Sequence, residues 1–525
     1  MYTRLGLLII IFTTNTLAQP TAKRDAAGPR SGPLYNLSIV LEDPRADLDS
    51  LTASGYNITS VDGNVATLMA TAEELLWLGA DGYDITHADP VPAPAAKRGG
   101  KGLGVYHSYA TLTSDLQEYA LAHPSICTLE SIGQSVLGRE IWAMKITDKP
   151  NKEEFEPEFK YVSTMHGDEP VGTEMCLYFI DRLLNDYGAD SRITSLVNKT
   201  EIWIVPLMNP DGLEANSRFN DEGLDLNRNF PAWPAGFDGT IFDGGTLDTE
   251  GRAPETQRVM EWSADNSFVL SANFHAGALI VNYPYDDDGK GSGVEAPAPD
   301  DTLFRDLALR YSASNTPMFT DSLPPSPGGI INGSFWYEIT GGMQDWNYRF
   351  LGCNDLTIEL SPNKIPNENQ LDDLWLDNEE SMLAYAEAVH IGIKGIVKDR
   401  NTNGPLYAQI LVKDNPQPVF TDPDKGDYHR LLLPGTYTIK ISAPGYKQKR
   451  IKDVVVSAGS AVTINAKLRP LPLKTDVNGD GKTNSVDIQR AVSALLTNLN
   501  DATCDVDGNG RVEVSDLQLI VSSVG

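Results

Sequence analysis

Between residues 33 and 90, apolar and polar positions alternate in short units that repeat. Residues 35–41 read as a strand, 46–53 as a helix, 56–61 and 65–69 as strands, 72–80 as a helix and 83–86 as a strand. The run Leu51-Thr52-Ala53-Ser54-Gly55-Tyr56-Asn57-Ile58 is echoed by Leu78-Gly79-Ala80-Asp81-Gly82-Tyr83-Asp84-Ile85, marking two related halves of a βαββαβ, ferredoxin-like unit over 33–90. Pro and Gly then punctuate a linker over 91–104 that has nothing to bury. From Tyr106 strand-like runs alternate with helical patterns, which predicts an α/β domain over 105–390 with a mixed, largely parallel twisted sheet covered on both faces. After a helical stretch at 378–388 come short runs rich in Val, Ile, Thr and Tyr: 395–399, 407–412, 427–432, 436–441 and 461–466. With turns at Pro434-Gly435 and Pro444-Gly445, they predict a β-sandwich over 391–470. Residues 471–525 carry two polar loops, each followed by a helical pattern. A chain of 525 residues exceeds what one core organises, so this multidomain partition is expected.

Composition adds little to the fold and more to the function. The 41% hydrophobic content and mean hydropathy of -0.27 are those of an ordinary soluble protein. A net charge of -30 argues against nucleic acid, since a polyanion would be repelled, and suits a cationic substrate or calcium. Residues 1–18 read as a secretory signal: Arg4, an apolar core over 5–12 too short to span a bilayer, and small Ala18 at its end. The mature chain is therefore expected to be exported, without a membrane span. Four cysteines, Cys127, Cys176, Cys353 and Cys504, are too few for a disulfide framework. Cys176 is expected inside, and a Cys127 to Cys353 bridge is conceivable.

The candidate chemistry starts at Met165-His166-Gly167-Asp168-Glu169, between an apolar run and an amphipathic one. A strand that ends in His-x-x-Glu and turns into a helix lets an imidazole and a carboxylate reach one cation. His275 closes a second apolar run at 267–274. The set His166, Glu169 and His275 has the composition of a catalytic zinc site whose fourth position is left for water. Glu359, in Leu356-Thr357-Ile358-Glu359-Leu360, points away from its apolar strand neighbours and is the candidate general base and acid.

These residues sit among Asn209-Pro210-Asp211-Gly212, Asp225-Leu226-Asn227-Arg228-Asn229-Phe230-Pro231, Asn282-Tyr283-Pro284-Tyr285-Asp286 and Gly341-Gly342-Met343-Gln344-Asp345-Trp346. In that order they resemble the zinc metallocarboxypeptidases, specifically the carboxypeptidase D, N and E branch, over residues 105–470. The resemblance implies that Arg218 stabilises charge beside zinc, that Asn227 and Arg228 bind the substrate's terminal carboxylate, and that Tyr337 closes over it. It also implies that Asp286 and Gln344 line a pocket for a C-terminal lysine or arginine side chain. The β-sandwich looks like the transthyretin-like domain of that branch. The N-terminal unit is placed like the pro-segment of several zinc carboxypeptidases, either covering the cleft until cut near Lys97-Arg98 or remaining as an accessory domain. Two departures stand out: Ala276 follows His275 where glycine is usual, and Pro362 follows Ser361 where many relatives have cysteine, so a family disulfide is missing.

In the tail, Asp476, Asn478, Asp480 and Asp487 occupy positions one, three, five and twelve of a calcium loop, and Asp505, Asp507, Asn509 and Asp516 repeat the scheme. Gly481 and Gly510 stand at position six, and aspartate replaces the usual glutamate at twelve. Paired loops followed but not preceded by helices resemble a dockerin, implying two Ca2+ and a cohesin-type partner; a calcium-stabilised tail without a partner is the alternative. The expected activity is zinc-dependent removal of C-terminal Lys or Arg from peptides. A cell-wall peptide carboxypeptidase or amidase, and a noncatalytic binding protein, are the rivals.

Overall fold

The computed structural model describes residues 34–54, 56–62, 64–90, 103–232, 247–321, 326–471, 474–497, 501–507 and 509–524. The signal-like residues 1–18 and Lys97-Arg98 lie outside them.

The N-terminal unit runs β1 (Leu34–Val40), α1 (Pro44–Ala53), β2 (Asn57–Asp62), β3 (Val65–Thr71), α2 (Ala72–Ala80) and β4 (Asp84–Pro90). Its sheet is antiparallel in the order β2-β3-β1-β4, the ferredoxin-like arrangement. Thr71 and Glu74 form a reciprocal capping box that starts α2, each side chain taking the other's backbone N–H.

The next unit opens with helix α3 (Tyr109–Ala122) and is built on eight strands: β5 (Cys127–Gln134), β6 (Glu140–Ile146), β7 (Glu158–Ser163), β8 (Glu201–Val205), β9 (Phe268–His275), β10 (Ala278–Tyr283), β11 (Ile330–Asn332) and β12 (Asn354–Ser361). They order as β11-β10-β12-β9-β7-β8-β6-β5. The centre, β12-β9-β7-β8, is parallel, whereas β10 pairs antiparallel with β12 and β5-β6-β8 are antiparallel, so the sheet is mixed. Alternation explains why β7 and β8 are buried throughout. Phe159, Tyr161, Ile202 and Ile204 enter one hydrophobic cluster, while Val162, Trp203 and Val205 enter a second on the other face. Helix α4 (Val171–Asn185) buries Met175, Cys176, Phe179 and Leu183 in the first cluster.

Cysteine placement corrects one expectation. Cys127 belongs to the first cluster and Cys353 to the second, on opposite faces of the sheet, and all four cysteines are buried and free. The two thiols have no shared space in which to bond.

Residues 392–470 form two sheets around Ile393, Val397, Ile410, Ile439 and Ile441. The strand Lys449–Val456 was not foreseen, because its exposed charged start hides the apolar alternation at its end. This sandwich is tied to the preceding unit by buried Arg430, whose Nη2 donates to both Asp300 oxygens at 2.8 and 2.7 Å. The tail has helices Ser485–Thr497 and Val514–Ser522 around Val477, Ala491, Cys504 and Ile520. Among the described residues no helix is long and apolar enough to cross a membrane.

Candidate active site

Strands β7 and β9 point their carboxyl ends at the same place, where crevices form in parallel sheets. After Ser163 the chain turns sharply through Thr164, which adopts φ 53° and delivers His166 and Glu169 toward β9. Asn209 fixes the turn: its N–H donates to Thr164 O at 3.1 Å and its Nδ2 to Met165 O at 3.1 Å. Gly167 has to be glycine because the backbone of Gly212 and Leu213 lies where its Cβ would be. This close approach accounts for the Asn-Pro-Asp-Gly motif.

The result is a compact donor set. His275 Nδ1 lies 3.0 Å from His166 Nδ1 and 2.9 Å from Glu169 Oε2, and His166 Nδ1 lies 3.1 Å from the same oxygen. All three residues are buried. Burial, then the neighbouring His166, pull His275 down to about 4, which leaves its imidazole neutral. Burial works against the charge on Glu169, yet Lys364 and His166 hold its carboxyl well below the usual range. Two facing imidazole nitrogens and a carboxylate are the donor types that a zinc ion takes, so the residues fit the metal.

Two residues that sequence reasoning missed complete this frame. Asp225 accepts from His166 Nε2 at 3.0 Å and Arg218 Nε at 2.9 Å, fixing the imidazole so that Nδ1 faces the donor set. Its signal was available, since it opens the segment that contains Asn227 and Arg228. Lys364 places its Nζ 2.9 Å from Asp168 Oδ2 and 2.9 Å from Glu169 Oε1, holding the ligand carboxylate from behind. Nothing local marked it, because its partners lie almost two hundred residues away.

One cleft is lined by His166, Glu169, His275, Arg218, Asn227, Arg228, Asp286, Tyr337 and Glu359. Glu359 pairs in register with His275 across β12 and β9, and its Oε2 is buried without a hydrogen-bond partner among the described residues. Burial, then the charge of Glu169, push its carboxyl up to about 8. Arg218 Nη1 sits 3.1 Å from His166 Nδ1. Asn227 Oδ1 accepts the Met343 N–H at 3.0 Å, leaving its amide nitrogen as the donor. Gln344 stands behind the cleft wall and donates to Asp286 Oδ1 at 2.6 Å and Asn282 Oδ1 at 2.9 Å. Burial raises Asp286 to about 7 against the pull of Asn282, Arg228 and Gln344. Asp345 accepts the Asp286 N–H at 2.9 Å, and burial, then the charge of Asp286, raise its own carboxyl well above the usual range. Ala276, the departure from glycine, donates its N–H to Glu169 Oε2 at 3.3 Å.

The N-terminal unit reaches the same place. Ile58 lines the cleft, Tyr337 packs on the unit's core, and Asp49 Oδ1 accepts from Ser292 N–H and Oγ at 3.1 and 2.8 Å. The free volume of the cleft is about 30 Å3.

The calcium-loop residues are arranged differently. Asp505, Asp507 and Asp516 bring oxygens within 4.8 Å of one another, while no such trio forms among the first loop's described carboxylates. Gly481 and Gly510 take φ 90° and 86°, the sharp turn expected at position six. At position twelve, Asp487 accepts from the N–H groups of Asn478 and Asn484, and Asp516 from those of Val506, Asp507 and Glu513.

Comparison with known proteins agrees with this geometry. Residues 112–381 match the zinc carboxypeptidase family model, 392–469 the carboxypeptidase regulatory-like domain, and 474–524 the dockerin type I domain. The chain is 40% identical to carboxypeptidase D of Homo sapiens over 395 residues, 72% of this chain but only 28% of that protein. It is 38% identical to carboxypeptidase M of Mus musculus, covering 70% of this chain and 85% of the relative. Carboxypeptidase A from Helicoverpa armigera shares the fold, with a TM-score of 0.53, 19% identity, and coverage of 67% of this chain and 96% of that one. With its donor set, its central sheet and these matches in agreement, the chain belongs to the zinc carboxypeptidase family.

Proposed function

We propose that the protein is a secreted exopeptidase that releases C-terminal lysine or arginine from peptides. The observation that carries this reading is Asp286: a carboxylate buried in the cleft, held by Gln344 and Asn282, with no cation in hydrogen-bond contact among the described residues. A lysine or arginine side chain supplies the missing charge, whereas an apolar one leaves the carboxylate unpaired.

His166, Glu169 and His275 would hold zinc. When bound, zinc polarises the scissile carbonyl and lowers the pKa of a water molecule. Glu359 takes the proton released as the carbonyl is attacked and passes it to the leaving amine; its raised pKa suits both tasks near neutrality. Arg218, fixed by Asp225, places a cation where negative charge grows on the carbonyl oxygen, so it favours the transition state over the ground state. Arg228 offers its planar fork to the terminal carboxylate with Asn227 beside it, and Tyr337 closes the site.

The N-terminal unit acts as a cover, supported by Ile58 in the cleft and by the Asp49 to Ser292 contact. Cleavage near Lys97-Arg98 should raise activity, and equal activity before and after would contradict the covering role. The tail binds calcium and presents a cohesin-type docking face; Val486, Leu496, Val514, Leu519 and Val521 leave its two helices exposed and apolar. Hydrolysis of dipeptides that differ only in the last residue, with and without chelator, tests the whole reading. A chelator-sensitive preference for Lys or Arg is expected, and chelator-resistant or apolar-preferring turnover would overturn it.

A further inference from the structure

Strands β7 and β9 begin as well as end together. Their carboxyl ends carry His166 and His275; at their amino ends, about 20 Å away at 3.3 Å per residue, lies a second cavity of about 260 Å3 between the α/β unit and the β-sandwich. Glu153, Glu156 and Glu158 line it from one side, Asp422 and Asp427 from the other. Glu158 is 4% exposed: its Oε1 accepts the Ser267 N–H at 3.0 Å, and its Oε2 has no hydrogen-bond partner among the described residues. Asp427 is 8% exposed, its Oδ1 is likewise without a partner, and its Oδ2 lies 3.6 Å from His429 Nε2.

Buried carboxylate oxygens without partners cost stability, and Glu158 and Asp427, which line this cavity from two domains, each carry one, so a cationic occupant would be favoured. The neighbouring lysine does not supply it, because Lys145 is paired with Glu201. Burial, then the charge of neighbouring carboxylates, raise Glu153 and Glu156 to about 7 and Glu158 well above its ordinary value. A point ion is a poor match: among the described residues no three of the five carboxylates bring oxygens within 4.8 Å of one another, and the space is about eight times a water's share of liquid volume. Aromatic rings form part of the remaining wall, with Phe268 and Phe350 on one side and the Tyr407 and Phe420 rings stacked 6.0 Å apart on the other, and His429 beside Asp427. Spaced carboxylates and ring faces suit a charged head on an apolar stem.

We propose that this interdomain cavity binds an extended organic cation, an alkylammonium or guanidinium chain, with its charge against Glu158 and Asp427 and its methylenes against Tyr407 and Phe420. The carboxylates disfavour a free amino acid, whose own carboxylate they would repel, so the product of the proposed reaction is not the ligand. The site is independent of the active-site reading.

The test is calorimetric titration of spermidine into the zinc- and calcium-loaded full chain, in an Asp286→Ala background that disarms the cleft, at 150 mM salt to screen diffuse attraction. One saturable site is expected, weakened about tenfold or more by Glu158→Gln with Asp427→Asn, a loss of at least ~1.4 kcal/mol. Those near-isosteric changes keep the side-chain volumes and leave an oxygen at residue 158 to accept the Ser267 N–H, so the melting temperature should hold; this shows that lost binding is not lost folding. A lysyl peptide capped as its amide distinguishes the sources. Binding with the same sensitivity assigns the site to a basic side chain of a polypeptide, and binding of spermidine alone assigns it to a free polyamine. Absence of saturable binding, or equal affinity in the double variant, overturns the proposal.

Discussion

The cleft and the tail both gather ligand-type side chains, but they hold them by different means. In the cleft, His166 and Glu169 leave a buried parallel strand, His275 ends its neighbour, and Asp225 and Lys364 brace them from outside. In the tail, Asp476, Asp480, Asp505 and Asp507 stand on short loops over a core of a few small residues, and the buried Asp487 and Asp516 spend their oxygens on loop N–H groups. Removing a cation from the first should leave a frame that is already paid for by sheet burial; removing it from the second leaves loops whose repelling carboxylates have little apolar area to offset them.

The sharpest way to break this contrast is at Glu359, the proposed general base. Glu359→Gln keeps the shape of β12 and should lower kcat by about 10²–10⁴-fold, with zinc content and KM little changed; a fall in zinc content would make Glu359 part of the frame instead. Its pH dependence follows from the raised carboxyl: activity falls as pH drops through the Glu359 pKa. Next in size, Asp286→Ala should reduce kcat/KM on substrates ending in Lys or Arg by about 10²-fold while sparing metal content. Unchanged preference would refute the pocket.

Calcium removal probes the other side of the comparison. With EGTA the tail should melt as a separate, earlier transition, and calcium at about a thousand times its Kd should restore about 4 kcal/mol to it; the main transition should stay where it is. A single transition that moves as a whole would mean that the tail and the sheet share one cooperative unit.

The smallest effect concerns His107, which joins Asp115 and Glu174 beneath the helix that follows the metal loop, at 3.1 and 2.7 Å. Burial opposes its charge, but Glu174 and then Asp115 prevail and raise its pKa above 6.5. A folded pKa above the unfolded one gives stability that is complete below pH 6.5 and is lost as pH rises through the folded value. The difference in unfolding free energy between wild type and His107→Gln should therefore be largest in acid and shrink with rising pH; a gap that widens with pH would contradict the ion pair.

The same contrast explains what the sequence could reveal. His275 and Glu359 were legible because each sits in an apolar strand, and His166 and Glu169 because they follow one closely, where a polar residue stands out against its neighbours. The βαββαβ unit and the two loops were legible because each repeats itself. Lys364 was not, since the only mark of its role is contact with Asp168 and Glu169 across the fold. Cys127 and Cys353 misled because composition says nothing about which face of a sheet a residue enters. The cavity at the amino ends of β7 and β9 was equally hidden, being made where two separately patterned domains meet.

The central claim is that three residues distant in sequence form a preassembled zinc site. Zinc titrated into the chelator-stripped full chain, kept in calcium and followed by calorimetry with circular dichroism, tests it most directly. One equivalent should bind at the cleft with no gain in secondary structure, and His275→Ala or His166→Ala should abolish that binding while the protein stays folded. Undiminished binding in both variants, or binding only with large refolding of the α/β unit, would contradict the account.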